Sequence, residues 1–471
     1  MAISDREDTP LYARIAQAVV DGLRAGRFKA GDALPGSRSL AEQLRVHRNT
    51  VVAAYRELEA EGWVFTTPGQ GTRISEHLPV HFKAGKPAKT KGFAWEAIPD
   101  SWDTAPRGPG MLDLGPGMPD VQNIPVDAIA RAFRRALQNR RGHLLSYTDP
   151  AGQPRLRGAL SQWLSETRGL VQDPERYIVT RGSQHGMDLV ARTLFRPGDR
   201  VAVEAYGYPP AWQAFRLAGA EPVPFPVDEE GLCVDVLEAS KGKFAAIYVT
   251  PHHQYPTTVS LSAPRRLQLL AFARKHRIPI LEDDYDHEFH YQGMPILPLA
   301  SDDPTGQVIY FGTLSKVLAP GLRMGFVSAH PDFIAQLARL RRATDRQGDA
   351  PMEWAVAEML EEGEIQRHVR KMRRLYEGRR AFLAERLRVE FGDELKFTLP
   401  TGGIGLWIHA PGIDVERWRE KSLELGVHFR IARQYAFDGK PHPWVRFGFA
   451  AHEESGLEEA VRRLRKAAWN S

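Results

Sequence analysis

Residues 308–316 read VIYFGTLSK, an apolar run from Val308 to Phe311 followed by small polar residues that end on Lys316. Upstream, residues 278–285 read IPILEDDY, where the run Ile278 to Leu281 gives way to Glu282, Asp283, Asp284 and Tyr285. Short apolar runs bounded by turns and rich in β-branched and aromatic residues predict strands buried on both faces. The same text recurs at 177–180 (YIVT), 200–203 (RVAV) and 245–249 (AAIYV), and helical periodicity is expected near 183–195, 209–218, 263–276 and 332–342. Strands alternating with helices predict an α/β domain on a largely parallel sheet covered on both faces. Ligands of such sheets sit beyond the carboxyl ends of the strands, so the polar residues after each run form the candidate site.

Toward the C-terminus, a long helical region from about 345 to 388 leads into Phe397-Thr398-Leu399, Leu406-Trp407-Ile408 and Trp444 to Phe449, which predicts a smaller α+β subdomain. Toward the N-terminus the text differs. Leu11, Ile15, Ala18, Val19 and Leu23 recur at helical spacing and stop at Gly26. A short helix with Leu40, Ala41 and Leu44 follows, then a third with Val51, Ala54, Tyr55 and Leu58, then two short strands around Pro68-Gly69-Gln70-Gly71. Helix, short helix, tight turn, helix and hairpin make a winged helix-turn-helix. Between the two regions, prolines and glycines from Pro79 to Gly110 break every period while Lys83, Lys86, Lys89 and Lys91 keep the segment solvated, which marks a linker. The expected division is 1–75 for the winged helix-turn-helix, 76–110 for the linker, 111–345 for the large domain and 346–471 for the small subdomain.

At 471 residues the chain exceeds one ordinary core, and 42% apolar with 26% charged residues describes a soluble folded protein. No apolar stretch is long enough for a membrane helix and the first residues lack a signal-peptide pattern, which points to the cytoplasm. The single cysteine, Cys233, excludes an intrachain disulfide framework and fits a reducing compartment. A formal charge of +5 permits a polyanionic partner without identifying one, because residues 1–75 hold ten Lys and Arg against nine Asp and Glu.

Placement says more than the sum. A helix-turn-helix sets the start of its second helix in the major groove, and that position holds His47, Arg48, Asn49 and Thr50. Arginine forks onto guanine and asparagine pairs with adenine, while Arg38, on a helix that Ser37 could cap, suits a phosphate. Gly71 and Arg73 at the hairpin suit the minor groove. Winged helices also serve as protein-interaction modules, and arginines near helix ends are commonly just solvated.

Pyridoxal chemistry needs an amine, an acid beside the pyridine nitrogen, a phosphate cradle and a flat lid, and the large domain offers each at a strand end. Lys316 supplies an amine, although a lysine after a strand is most often a surface charge. Asp283 or Asp284 could hold the pyridine proton, and Tyr285 could donate to the ring oxygen. The acidic strand end could alternatively ligate a metal through Glu282, Asp283, Asp284, Asp286, His287, Glu288 and His290. No compact ligand pattern is completed elsewhere, so no metal is assigned. Gly182-Ser183-Gln184 opens a helix whose free amides attract phosphate, though glycine-serine is also an ordinary cap. Thr313 and Arg323 could complete the cradle, the latter only if Pro320-Gly321 turns the chain back.

Residues 34–41 (LPGSRSLA), 46–51 (VHRNTV), Ala54-Tyr55, 58–63 (LEAEGW) and Gly69 to Thr72 together resemble the N-terminal domain of the GntR family. That likeness implies DNA contact by Arg38, Arg48, Asn49, Thr50 and Gly71. Residues 146–152 (SYTDPAG), 182–184 (GSQ), 250–257 (TPHHQYPT), 282–286 (EDDYD) and Ser315-Lys316 with 320–323 (PGLR) resemble the fold-type I aminotransferases. More closely they resemble the aminotransferase-like half of MocR-type regulators. The resemblance implies Lys316 as the Schiff-base lysine of pyridoxal 5'-phosphate, with Asp283 on the pyridine nitrogen and Tyr285 on the ring hydroxyl. It further implies Gly182, Ser183, Gln184, Thr313 and Arg323 on the phosphate, Tyr208 stacked on the ring, Tyr147 reaching the phosphate of a partner subunit, and Arg446 clamping an effector carboxylate.

The chain departs from an active aminotransferase at four places. Tyr255 stands where asparagine is usual, Thr258 replaces a glycine that tolerates positive φ, and Gly405 replaces a histidine. Tyr206 also occupies a position that is commonly proline. These departures argue against efficient transamination. The expected function is a homodimeric, pyridoxal-phosphate-dependent DNA-binding regulator that senses an amino acid, an amine or the cofactor itself. An active aminotransferase with an accessory reader, or a cofactor-free scaffold that binds DNA, are the alternatives.

Overall fold

The computed structural model describes residues 9–69, 71–78, 108, 110–115, 117–294 and 296–469. Contacts divide the chain into two compact units, residues 1–98 and 99–471. Most of the expected linker, and Gln70 of the hairpin tip, lie outside the described residues.

In the first unit, helices Leu11–Arg24, Ser37–Leu44 and Arg48–Ala60 pack around Ile15, Val19, Leu40, Val51, Ala54 and Leu58, all buried. The apolar residues recur every three or four positions, so each helix turns one stripe inward. Strands Val64–Thr67 and Gly71–Ile74 pair antiparallel, and Trp63, Val64 and Ile74 close the core. Arg45 takes a left-handed φ of 54° after the second helix and so makes the tight turn into the third. Ser37 does not cap its helix as the sequence suggested. Gly36 is the N-cap and Ser37 is the first helical residue, with its hydroxyl near Arg48 Nε at 3.4 Å.

The second unit is organised by a seven-stranded sheet. From edge to edge its strands are Tyr177–Thr180, Gly325–Ser328, Val308–Thr313, Ile280–Asp284, Ala246–Val249, Arg200–Glu204 and Glu221–Phe225. All run parallel except Gly325–Ser328, which is antiparallel to both neighbours. Strand Ile280–Asp284 is buried throughout, which is why it reads as an unbroken apolar run up to its polar end. Asp283 and Asp284 are its last two residues rather than the turn after it. Glu221–Phe225 and Gly325–Ser328 were not expected: the first carries two prolines that only an edge position accepts, and the second is four residues long.

The expected long helical region is two helices, Ala350–Glu361 and Glu364–Phe391, broken at Gly363 with φ 71°. The first buries Ala355, Val356 and Met359 with Tyr177, Val179 and Tyr310 of the large sheet, whereas the second continues into the C-terminal core of Leu383, Leu387, Trp418, Phe429 and Phe447. That core covers an antiparallel sheet of Gly405–His409, Trp444–Gly448 and Arg430–Ile431. Residues 397–399 are not a strand; only Lys396 bridges to His409. Leu112–Asp113 pairs with Val427–His428, tying the start of this unit to its end. Among the described residues no helix is long and apolar enough to cross a membrane.

Candidate functional site

Three strands of the large sheet end on one cavity of about 220 Å³. Val308–Thr313 ends on Thr313, whose hydroxyl accepts the amide of Ser315 at 3.1 Å and so starts the turn that delivers Lys316. The Lys316 Nζ donates to the carbonyl of Gly117 at 2.6 Å. Burial of the amine, with Arg446 adding repulsion, lowers the Lys316 pKa from its usual 10.5 to about 8. Ile280–Asp284 brings Asp283, whose Oδ2 accepts from the Tyr248 hydroxyl at 2.8 Å while Oδ1 has no partner among the described residues. Burial raises its pKa to about 7, against the opposing hydrogen bond from Tyr248. Tyr285 follows with a buried hydroxyl that likewise has no partner among the described residues.

The opposite end of the cavity is built for an anion. Tyr177–Thr180 runs into Gly182, which has φ 78° and caps the helix Ser183–Leu194. The first amides of that helix have no intrahelical acceptors and its dipole is positive there. The short helical turn Pro320–Leu322 and a left-handed Arg323, φ 50°, return the chain to this point. A Cβ on Gly182 would stand 3.3 Å from the Arg323 guanidinium, and Arg323 Nη2 donates to the Arg181 carbonyl at 2.9 Å. Gln184 turns its amide onto Pro210 O at 2.8 Å. Tyr208, at the start of helix Pro209–Leu217, closes the wall with its ring against Tyr255, centroids 5.7 Å apart.

The cavity therefore gathers Gly182, Ser183, Gln184, Tyr208, Asp283, Tyr285, Thr313, Lys316 and Arg323. Two expected residues are not among its walls. Tyr147 is 75% exposed and lies under the Arg346 guanidinium, 4.0 Å from its ring centroid. Arg446 is fully buried behind Tyr255, 5.0 Å from that ring, with Nε on the Pro256 carbonyl and both Nη atoms without partners among the described residues. Gly405 is explained by this neighbour: a Cβ there would stand 2.9 Å from Arg446 Cζ. Thr258 keeps the left-handed turn, φ 66°, although it is β-branched. Gly117 and Tyr248 were missed, since a carbonyl partner and a mid-strand hydroxyl carry no sequence signal.

An acid with one free oxygen at one end and a helix N-terminus with an arginine at the other, with an amine between, suit a charged heteroaromatic phosphate. The residues present thus fit pyridoxal phosphate. Beyond this cavity, one ring nitrogen from each of His252, His253 and the half-buried His290 lies within 4.8 Å of the others, a grouping that the sequence did not reveal. His252 and His253 sit in a loop well upstream of His290, which hides the cluster from a scan of spacing.

The first unit presents a different kind of site. His47 caps the helix Arg48–Ala60 by accepting the Asn49 amide at 3.2 Å, leaving Arg48 and Asn49 exposed at its first turn with Thr50 half-buried. Arg38 and Gly71 are exposed. Arg73 is exposed too, but its Nη1 donates to the Gly31 carbonyl at 3.1 Å, which holds it beside the loop before the second helix.

Residues 11–74 match the bacterial regulatory proteins of the gntR family, and residues 109–464 match aminotransferase class I and II. The probable rhizopine catabolism regulatory protein MocR of Rhizobium meliloti is 30% identical, with 99% of this chain and 96% of that protein covered. The pyridoxine biosynthesis transcriptional regulator PdxR of Corynebacterium glutamicum is 31% identical over 99% of this chain and 98% of its own. Among solved structures, the α-aminoadipate aminotransferase LysN of Thermus thermophilus, complexed with N-(5'-phosphopyridoxyl)-L-leucine, superposes with TM-score 0.71 at 30% identity, covering 77% of this chain and 93% of that one.

Proposed function

The chain belongs to the MocR-type transcriptional regulators, which join a gntR-family helix-turn-helix to an aminotransferase class I and II domain, and on that premise we propose that pyridoxal phosphate and a small amino compound control its grip on double-stranded DNA. The observation that carries this is one cavity holding the Lys316 amine, the free Oδ1 of Asp283 and the start of helix Ser183–Leu194 beside Arg323. Pyridoxal phosphate supplies, when bound, an aldehyde that captures amines reversibly and a ring that accepts negative charge.

The chain's own residues do the rest. Lys316 offers an amine that is substantially neutral near pH 8. Asp283 holds a proton on the pyridine nitrogen, Tyr285 donates to the ring hydroxyl and Tyr208 offers its ring as a lid. Gly182, Ser183, Gln184, Thr313 and Arg323 take the phosphate. Tyr147, exposed and outside its own cavity, serves the partner subunit of a homodimer. The free Nη atoms of Arg446 take the effector carboxylate in a bidentate pair, which requires the Tyr255 ring to move aside. An effector that favours the displaced arrangement thereby shifts a two-state equilibrium, the requirement for altering DNA affinity at a distance. Arg48, Asn49 and Thr50 read base edges in the major groove, Arg38 a phosphate, and Gly71 with Arg73 the minor groove beside the hairpin. The place of action is the cytoplasm.

Titration of the full-length protein with amino acids and amines, followed by visible absorbance and then by DNA binding, tests the proposal. One compound is expected to move both signals and to change DNA affinity by about 5- to 150-fold, the usual span of allosteric coupling. Steady turnover of an amino donor and a keto acceptor without any DNA response would assign an aminotransferase instead. Failure to take up pyridoxal phosphate at all would leave a cofactor-free scaffold.

A further inference from the structure

We infer that the second unit carries a site for a divalent transition-metal ion of the zinc class, built from His252, His253 and His290, with His287 stacked on His252 beside them. Nothing in the proposed chemistry of the cavity uses these four side chains.

The cluster is assembled from two segments. His252 and His253 lie in the loop that follows strand Ala246–Val249, and His287 and His290 lie in the turn after strand Ile280–Asp284. These strands are parallel neighbours, so both segments emerge at the same carboxyl edge of the sheet. The His252 ring stacks on His287 with centroids 4.3 Å apart and meets His253 edge-on at 4.2 Å. His253 and His290 lie nearly parallel at 6.2 Å.

Buried polar atoms are almost always hydrogen-bonded, and these are not. His252 is 4% exposed, yet neither ring nitrogen has a partner among the described residues. His253 Nε2, His287 Nε2 and His290 Nδ1 are likewise without partners. The ring of His253 is held from behind, with Nδ1 2.7 Å from Asp286 Oδ1 and both side chains sealed from solvent. That pairing fixes the tautomer and aims Nε2 forward, the arrangement by which carboxylates orient metal-binding histidines. His287 Nδ1 lies 3.0 Å from Asp284 Oδ2 but makes no hydrogen bond to it. Gly402 packs against the His253 ring, where a Cβ would stand 2.3 Å from Nε2 and 2.5 Å from Cε1, so only glycine fits there.

Charge and size are compatible with a dication. Asp284 and Asp286 lie against the cluster, while Glu288 and Arg168, paired with each other, and Arg373 line the adjoining cavity. Zinc bonds to imidazole at about 2.0–2.1 Å put tetrahedral ligand atoms about 3.4 Å apart, so the nitrogens need draw in by roughly an ångström. His287 and His290 also wall a cavity of about 270 Å³ next to the cluster. Imidazole without thiolate selects ions such as Zn²⁺, Co²⁺ or Ni²⁺ over Ca²⁺ or Mg²⁺.

Tag-free full-length protein titrated with Co²⁺ tests the site, because a nitrogen-rich tetrahedral Co²⁺ centre gives intense visible bands. One Co²⁺ per chain, displaced by Zn²⁺, is expected, with the bands lost in the His252→Ala, His290→Ala double variant. His290→Ala alone, at a half-buried position that leaves the fold intact, and Asp286→Asn, which removes the orienting carboxylate, are each expected to weaken binding by about 10- to 100-fold. Equal uptake by wild type and double variant, or only the weak bands of an octahedral surface complex, would overturn the assignment. So would a wild type that binds no Co²⁺ after dialysis against a chelator.

Discussion

The reader and the cavity use polar side chains in opposite ways. Arg38, Arg48 and Asn49 stand exposed on a helical frame with a largely apolar core. Asp283, Tyr285 and Lys316 are drawn into a confined space, where burial lifts the acid's pKa to about 7 and drops the amine's to about 8. Groups already in water suit a partner as large as duplex DNA, an interaction that grows from many contacts and falls with salt. A small ligand is met by groups desolvated in advance and left short of partners, so that each missing hydrogen bond becomes a term in recognition.

The sharpest break between the two is Lys316→Ala. It is expected to abolish the visible absorbance and borohydride capture of bound pyridoxal phosphate completely, and with them the response to amino compounds, while basal DNA binding persists. Loss of DNA binding as well, in a folded variant, would mean the two regions do not act separately.

Next comes the reader. Arg48→Ala or Asn49→Ala is expected to weaken operator binding by about 1–3 kcal/mol and to relax base preference, with cofactor uptake unchanged. Arg38→Ala is expected to lower affinity for all sequences alike and to reduce the salt slope by about one. A base preference that survives both reader substitutions would move recognition elsewhere.

The effect of pH is smaller and confined to the cavity. Only the neutral amine adds to an aldehyde, and burial brings the Lys316 pKa down to about 8. The rate of cofactor uptake by apo-protein is therefore expected to climb about tenfold per pH unit below that value and to level off above it. A rate still climbing toward pH 10 would show an amine with its ordinary basicity.

The smallest expected effect is on stability. Thr258 at φ 66° carries a left-handed strain of about 1–2 kcal/mol, and a glycine there gives back about 0.5–1 kcal/mol in unfolded-state entropy. Thr258→Gly should thus raise stability by up to about 1 kcal/mol in denaturant unfolding, and a loss would show that the threonine makes contacts that outweigh its backbone.

Much of this was legible in the sequence because buried strands and amphipathic helices impose periods of their own. The runs at 177–180, 200–203 and 308–311 each became a strand. Where periodicity was weak, reading failed. Glu221–Phe225 hides behind two prolines, and Asp283 and Asp284 look like a turn although they finish a strand. Ser37 looks like a cap because serine so often is one, yet Gly36 takes the position.

By itself, then, the order of residues determined a reader followed by an α/β domain, and it placed an amine, an acid and a glycine-led helix start at strand ends. Those are local facts, set by side-chain spacing along one element. Only the tertiary structure decided that Tyr248 holds Asp283, that Gly117 receives Lys316, that Tyr255 screens Arg446 and that His252 meets His290. Each of those pairs is joined by neighbouring strands or by loops distant in sequence, and which strands become neighbours is settled by packing the whole sheet rather than by any segment alone.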